Sequence, residues 1–142
     1  MSIHNVDLFK GLMALSEIAK AATRETLDEG TIVYTYKDPA DYFYSLIEGR
    51  VLLSRGKEAQ IDYTVGQEGE IFGWSSMVDR ESYTTTAKCL ASTKVIRISK
   101  RKLNQVFEKH PHDGMVFYKR LADAVLQRLI DTSTTFLAVR NP

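Results

Sequence analysis

Residues 69–87, GEIFGWSSMVDRESYTTTA, decide the fold. A strand runs into a tight turn at Gly69, meets a second glycine at Gly73 and opens a short segment capped by polar side chains, with Ser75 and Ser76 just inside it. Thr84, Thr85 and Thr86 follow eleven to thirteen positions after Gly73, immediately ahead of another strand. Two glycines around a strand-to-helix turn present backbone N–H groups with no Cβ in the way. That is how a chain builds a concave seat for an anion.

Outward from that stretch, the chain reads as one globular domain spanning 1–142. It has 142 residues, 44% of them hydrophobic, enough to bury a core. The net charge of +1, with both signs interspersed, supplies no basic field for nonspecific nucleic-acid binding. The single cysteine, Cys89, excludes an intrachain disulfide and fits a reducing cytoplasm. No long apolar run is present, so neither a secretory signal nor a membrane-spanning helix is expected.

Hydrophobic periodicity divides the chain into helix, strands and helix. Leu8, Phe9, Leu12, Leu15, Ile18 and Ala19 recur at helical spacing, which predicts a helix over 7–23 within an N-terminal helical part of about 6–23, with Asp7 as its cap. From residue 30 to 98 the character turns β-branched and aromatic. Strands are predicted at 31–36, 42–48, 50–55, 60–65, 84–90 and 94–98, with turns at Asp38-Pro39, Glu48-Gly49 and Arg55-Gly56. Many short strands with close turns indicate a mainly β fold, a sandwich or jelly-roll barrel with flanking helices. Two helices then occupy 99–137: a short one capped by Ser99 over 100–108, and a long one beginning near Pro111. On the long helix Tyr118, Ala122, Val125, Leu129, Thr132 and Phe136 repeat at four-three spacing, widened by Leu121, Leu126 and Ile130. Two readings are open for this stripe: packing on the chain's own β-roll, or the seam of a helix pair in a homodimer.

The chain resembles the cyclic-nucleotide-binding domains, the family of the bacterial catabolite activators and of the regulatory subunits of cyclic-nucleotide-dependent kinases. GEIFG at 69–73 is similar to the family's phosphate-binding cassette. LFKGLMALSEIAKAA (8–22) resembles its opening helix, EGTIVYTYKDPADYFYSLIEGRVLL (29–53) its first strands, and STKVIRISKRKLNQVF (92–107) its last strand and following helix. The resemblance implies a double-stranded β-helix with an N-terminal helix and a long C-terminal helix. It also implies a ligand site over Gly69, Glu70, Ile71, Phe72, Gly73, Trp74, Ser75, Ser76, Tyr83, Thr84, Thr85 and Thr86, open to a cyclic nucleotide such as cyclic AMP or cyclic GMP, with no other cofactor.

Two positions depart from the family pattern. Trp74 stands where a glutamate accepts the ribose 2′-hydroxyl, and Thr84 stands where an arginine pairs the phosphate. A charge-assisted contact contributes about 1.5–3 kcal/mol. Losing both would weaken a micromolar site by about two to four powers of ten. Arg80 and Lys88, each four residues from Thr84, are candidate replacement charges or simply solvated ones. The hydroxyls of Ser75, Ser76, Thr84, Thr85 and Thr86 offer hydrogen bonds to a phosphate or a neutral polar ligand. Trp74 either plugs the pocket or stacks on a planar ligand, and Tyr83 either borders the pocket or packs on the roll.

Other chemistries find no footing. His110 and His112 flank a proline and have no carboxylate or third histidine at metal-binding spacing. Cys89 has no histidine or CxxC partner and reads as a small buried hydrophobe. No Ser-His-Asp order, Walker loop or carboxylate pair emerges, so no enzyme is expected. In the family's transcription factors a helix-turn-helix domain follows the long helix. Here the sequence stops at Pro142, so direct DNA binding is not expected. The expectation is a regulatory domain that binds a small ligand and signals through its C-terminal helix as a homodimer. The alternative is a ligand-free dimerisation or partner-binding module.

Overall fold

The computed structural model describes residues 6–55, 62–78 and 80–140, with side chains through Thr132. In chain order a 3-10 turn, Asp7–Phe9, precedes helix α1 (Leu15–Ala19) and strands β1 (Ala22–Leu27), β2 (Ile32–Tyr34), β3 (Tyr42–Glu48), β4 (Val51–Ser54), β5 (Tyr63–Val65) and β6 (Ile71–Phe72). A second 3-10 turn, Trp74–Met77, leads to β7 (Thr86–Cys89) and β8 (Thr93–Ser99). Helices α2 (Lys100–Lys109) and α3 (Pro111–Arg140) close the chain. The strands form two antiparallel four-stranded sheets, ordered β1-β8-β3-β6 and β2-β7-β4-β5. This is the expected jelly-roll.

The central strands β3 and β8 carry buried side chains on both faces, and β3 accordingly reads as a mostly apolar run, YFYSLIE. Phe43, Ile96 and Ile98 face the helices, whereas Tyr44, Leu46 and Val95 face the second sheet. Their register pairs Phe43 with Ile98 and Leu46 with Val95. At Gly49, between β3 and β4, φ is +114° and a Cβ would lie 2.7 Å from the Thr93 Cα, so only glycine makes this turn. Cys89 is buried in β7, as expected of a small hydrophobe.

The N-terminal region differs from the predicted single helix. Gly11, at φ +72°, interrupts the periodic run, leaving a 3-10 turn and a five-residue helix. Asp7 makes no side-chain cap and instead pairs with Lys10 at 2.9 Å. Thr23 lies in β1, so the roll starts before residue 30. The sequence ATRETL conceals that strand because none of its residues is fully buried at this sheet edge, where tertiary pairing with β8 overrides a weak local pattern.

The C-terminal helices begin as the sequence predicts. Ser99 Oγ accepts a 3.3 Å hydrogen bond from the Lys102 amide, and α3 starts at Pro111. Phe117 stacks on Phe9 at 5.3 Å and packs on Phe43 and Phe107, seating α3 on the roll. Leu121 is buried with it, so it does not widen the outer stripe. Tyr118, Val125, Leu126, Leu129 and Ile130 are exposed. The apolar residues of α3 therefore divide between two faces. Phe136 falls outside the described side chains.

Candidate functional site

The glycine loop is built on β3. Ile71 and Phe72 pair with Ser45 and Tyr44, while the Gly69 amide donates to the Leu46 carbonyl at 2.8 Å. Gly69 has φ +86° and Gly73 φ +76°, the left-handed region that favours glycine. Between them the Glu70 carboxylate accepts hydrogen bonds from the Gly66 and Gln67 amides, at 3.1 and 2.9 Å, and from the Tyr63 hydroxyl at 2.7 Å. Glu70 thus organises the turn that carries β6. Beyond Gly73 the chain enters its 3-10 turn, and Ser76 Oγ donates to the Gly73 carbonyl at 3.2 Å.

A cavity of about 220 Å³ opens beside Gly73. Gly73, Trp74, Ser75, Tyr83, Thr84 and Thr85 line one side, joined by Tyr34, Leu53 and Tyr63 from the roll and by Arg128 and Thr132 from α3. Ser75 and Thr84 place their hydroxyl oxygens 3.4 Å apart. Tyr83 stacks on Tyr34 at 3.8 Å and donates a 2.6 Å hydrogen bond to the Tyr42 carbonyl. Burial disfavours the phenolate and pushes both Tyr34 and Tyr83 up to about 12.

The remaining expected site residues lie elsewhere. Gly69, Glu70 and Ile71 border a neighbouring cavity of about 240 Å³, which shares Trp74 and Arg128 as a common wall. Phe72 packs in the core at 5.0 Å from Tyr44, and Ser76 is buried on its own turn. Thr86 Oγ1 accepts the Tyr36 amide at 2.9 Å, which ties it to the turn that follows β2. Arg80 and Lys88 are exposed and line neither cavity.

The positive charge comes from a different element. Arg128, on α3, donates through Nη2 to the Ile71 carbonyl at 2.6 Å and to Glu70 Oε2 at 3.3 Å. Its guanidinium carbon lies 4.4 Å from the centroid of Tyr63 and 4.2 Å from that of Trp74. Burial lowers its pKa from the ordinary value, partly offset by Tyr63 and Glu70. Eight residues earlier Arg120 Nη1 donates to the Lys10 carbonyl at 2.6 Å and to those of Asp7 and Leu8 at 3.2 and 3.4 Å. Two arginines on α3 thus clasp the N-terminal turn and the glycine loop.

Comparison with known proteins decides the family. The family model of the cyclic nucleotide-binding domain matches residues 24–110, which runs from β1 through the end of α2. The chain belongs to the cyclic nucleotide-binding domain family. The domain is 30% identical over 107 residues to the global nitrogen regulator of Synechocystis, across 72% of this chain and 48% of the regulator. It therefore spans about half the length of that curated relative. A solved protein of Geobacter metallireducens, described as cyclic nucleotide-binding, is 28% identical and superposes with a TM-score of 0.77 over 87% of this chain and 92% of its own. The sensor domain of the transcriptional regulator DNR from Pseudomonas aeruginosa shares the fold. Its TM-score is 0.67 at 22% identity, over 85% of this chain and 82% of that one.

Sequence reading missed Arg128, Tyr34, Leu53, Tyr63 and Thr132 as members of this domain's cavity. A signal for Arg128 existed. Phe117, Leu121, Ala124 and Arg128 repeat at four-three-four spacing along the inward face of α3. The other apolar repeat on that helix was more conspicuous and drew the reading to the outward face.

Proposed function

We propose that this domain is a regulatory sensor that binds a small ligand beside Gly73 and passes its occupancy to α3. The observation that carries this reading is the shared cavity wall: Gly73, Ser75, Thr84 and Thr85 meet Arg128 and Thr132 of α3 around one space. A ligand contacting both sides with different affinity for two positions of α3 shifts the balance between them. The ligand is a cyclic nucleotide such as cyclic AMP or cyclic GMP, and the domain performs no catalysis. It works in the cytoplasm as a homodimer through the exposed face of α3, where Val125, Leu126, Leu129 and Ile130 stand open. Among the described residues no helix is long and apolar enough to cross a membrane.

A second reading has its own support. The cavity is smaller than the roughly 300–1,000 Å³ usual for small-molecule sites, and Trp74 with Arg128 takes up part of its wall. That favours a ligand-free module in which the glycine loop is purely structural. Isothermal calorimetry with cyclic AMP and cyclic GMP, carried to millimolar concentration, separates the two. Saturable heat at one ligand per chain supports the sensor. Absence of heat from both nucleotides removes the cyclic-nucleotide reading and supports the module.

A further inference from the structure

Arg128 lines the cavity beside Gly73, and its present partners leave it able to change acceptors. Of its two hydrogen bonds the one to Ile71 is short, 2.6 Å, and the one to Glu70 is long, 3.3 Å. Glu70 does not depend on it, because the carboxylate already holds the Gly66 and Gln67 amides and the Tyr63 hydroxyl at 2.7–3.1 Å. Release of Arg128 from Glu70 therefore leaves no buried carboxylate without donors, the outcome that makes breaking an ion pair costly. The aromatic faces of Trp74 and Tyr63 hold the guanidinium plane in place, and the Ile71 carbonyl fixes one edge. A guanidinium carries five N–H donors in a rigid fork, so it can keep one anchor and offer another edge to an anion.

We propose that Arg128 is the anion-binding residue of this domain, pairing the phosphodiester of a singly charged ligand seated among Ser75, Thr84 and Thr85. This rests on the sensor reading and deepens it. The charge is delivered by α3 rather than by the loop, so the ligand bridges the helix and the roll directly. Thr84 then needs no charge of its own, and neither Arg80 nor Lys88 takes part. Trp74 acts as the platform that orients the guanidinium, which gives the lone tryptophan a place in the site without any contact to ribose.

The test uses the full chain, calorimetry and three probes: cyclic AMP, inorganic phosphate and adenosine, which lacks the phosphate. Arg128→Gln is expected to weaken cyclic AMP by about ten- to a hundredfold, the worth of one charge-assisted hydrogen bond. Adenosine affinity is expected to stay unchanged, and phosphate is expected to compete with cyclic AMP only in the wild type. Arg128→Lys is expected to recover part of the loss, because it restores the charge without the planar fork. Circular dichroism establishes that each variant folds, and the adenosine titration reports an intact cavity. Wild-type and Arg128→Gln affinities for cyclic AMP agreeing within about threefold would overturn the assignment while leaving the sensor reading standing. A wild type that takes up neither cyclic AMP nor phosphate would overturn both.

Discussion

Arg128 lies over the indole of Trp74, its guanidinium carbon 4.2 Å from the ring centroid, in a chain that has one tryptophan. The contact joins α3 to the first residue beyond Gly73, across the wall that separates the two cavities. The Arg128 side chain is only 15% exposed, so the pair is largely shielded from the water that would screen it. The tryptophan beside Gly73 thus acquires a charged partner from another element.

Such a stack has a measurable coupling. A desolvated cation–π pair contributes up to about 2 kcal/mol, against about 0.5–1 at an exposed site. A double-mutant cycle with Trp74→Leu and Arg128→Met, followed by urea unfolding, is expected to give a coupling of about 1–2 kcal/mol. A coupling indistinguishable from zero would mean that the two side chains merely lie near each other.

Gly73 is the position where backbone geometry most constrains the site. At φ +76° an L-residue is strained by about 1–2 kcal/mol. A Cβ there would also come within 3.2 Å of the Tyr44 ring and 3.4 Å of the Tyr34 ring. Gly73→Ala is expected to lower stability by about 1–3 kcal/mol and to shift the near-ultraviolet circular dichroism of the stacked tyrosines. Thermal unfolding at unchanged midpoint would contradict the need for glycine.

The fold was legible in the sequence where local and tertiary preferences agreed. The 42–48 strand, the Ser99 cap and the Pro111 start each carry a local signal that the packing then uses. β1 was hidden because Thr23, Arg24 and Thr26 owe their extended shape to pairing with Arg97, Ile96 and Lys94 rather than to a pattern of their own. Six predicted site residues do line the cavity: Gly73, Trp74, Ser75, Tyr83, Thr84 and Thr85. Arg128 was hidden for another reason. It lies more than forty residues beyond Thr84 in the chain, and only the docking of Phe117 and Leu121 turns its face of α3 toward the loop.

The buried tyrosines set an upper pH limit. Tyr34 and Tyr83 are raised to about 12 by burial, above the ordinary value of 10. Below pH 10 both folded and unfolded chains keep these phenols protonated, and the contribution is fully present. Between about pH 10 and 12 the unfolded chain ionises while the folded one resists, so each tyrosine removes up to about 1.4 kcal/mol of stability per pH unit. Tyr44 shifts in the same direction. Ultraviolet titration is expected to show tyrosines that ionise only together with loss of circular dichroism. Tyr34→Phe and Tyr83→Phe are each expected to move that transition to higher pH. Free ionisation of all tyrosines near pH 10 in the folded state would refute the burial argument.

The outward face of α3 makes the last prediction. Leu129 is 62% exposed and Leu126 52%, beside Val125 and Ile130, while Phe117 and Leu121 on the inward face are buried. A helix with apolar residues on both faces, packed on one side only, presents the other to a partner. A second copy supplies the same stripe, and the four-three-four spacing of the exposed Tyr118, Ala122, Val125 and Leu129 suits a parallel helix pair. Sedimentation is expected to find the wild type as a dimer and Leu129→Glu as a monomer, since burying a carboxylate in an apolar seam without a partner is strongly unfavourable. Because Leu129 makes little contact with its own roll, the substitution is expected to change protomer stability by no more than about 0.5 kcal/mol. A monomeric wild type would assign the stripe to a different partner. A dimer that survives Leu129→Glu would place the interface elsewhere on the domain.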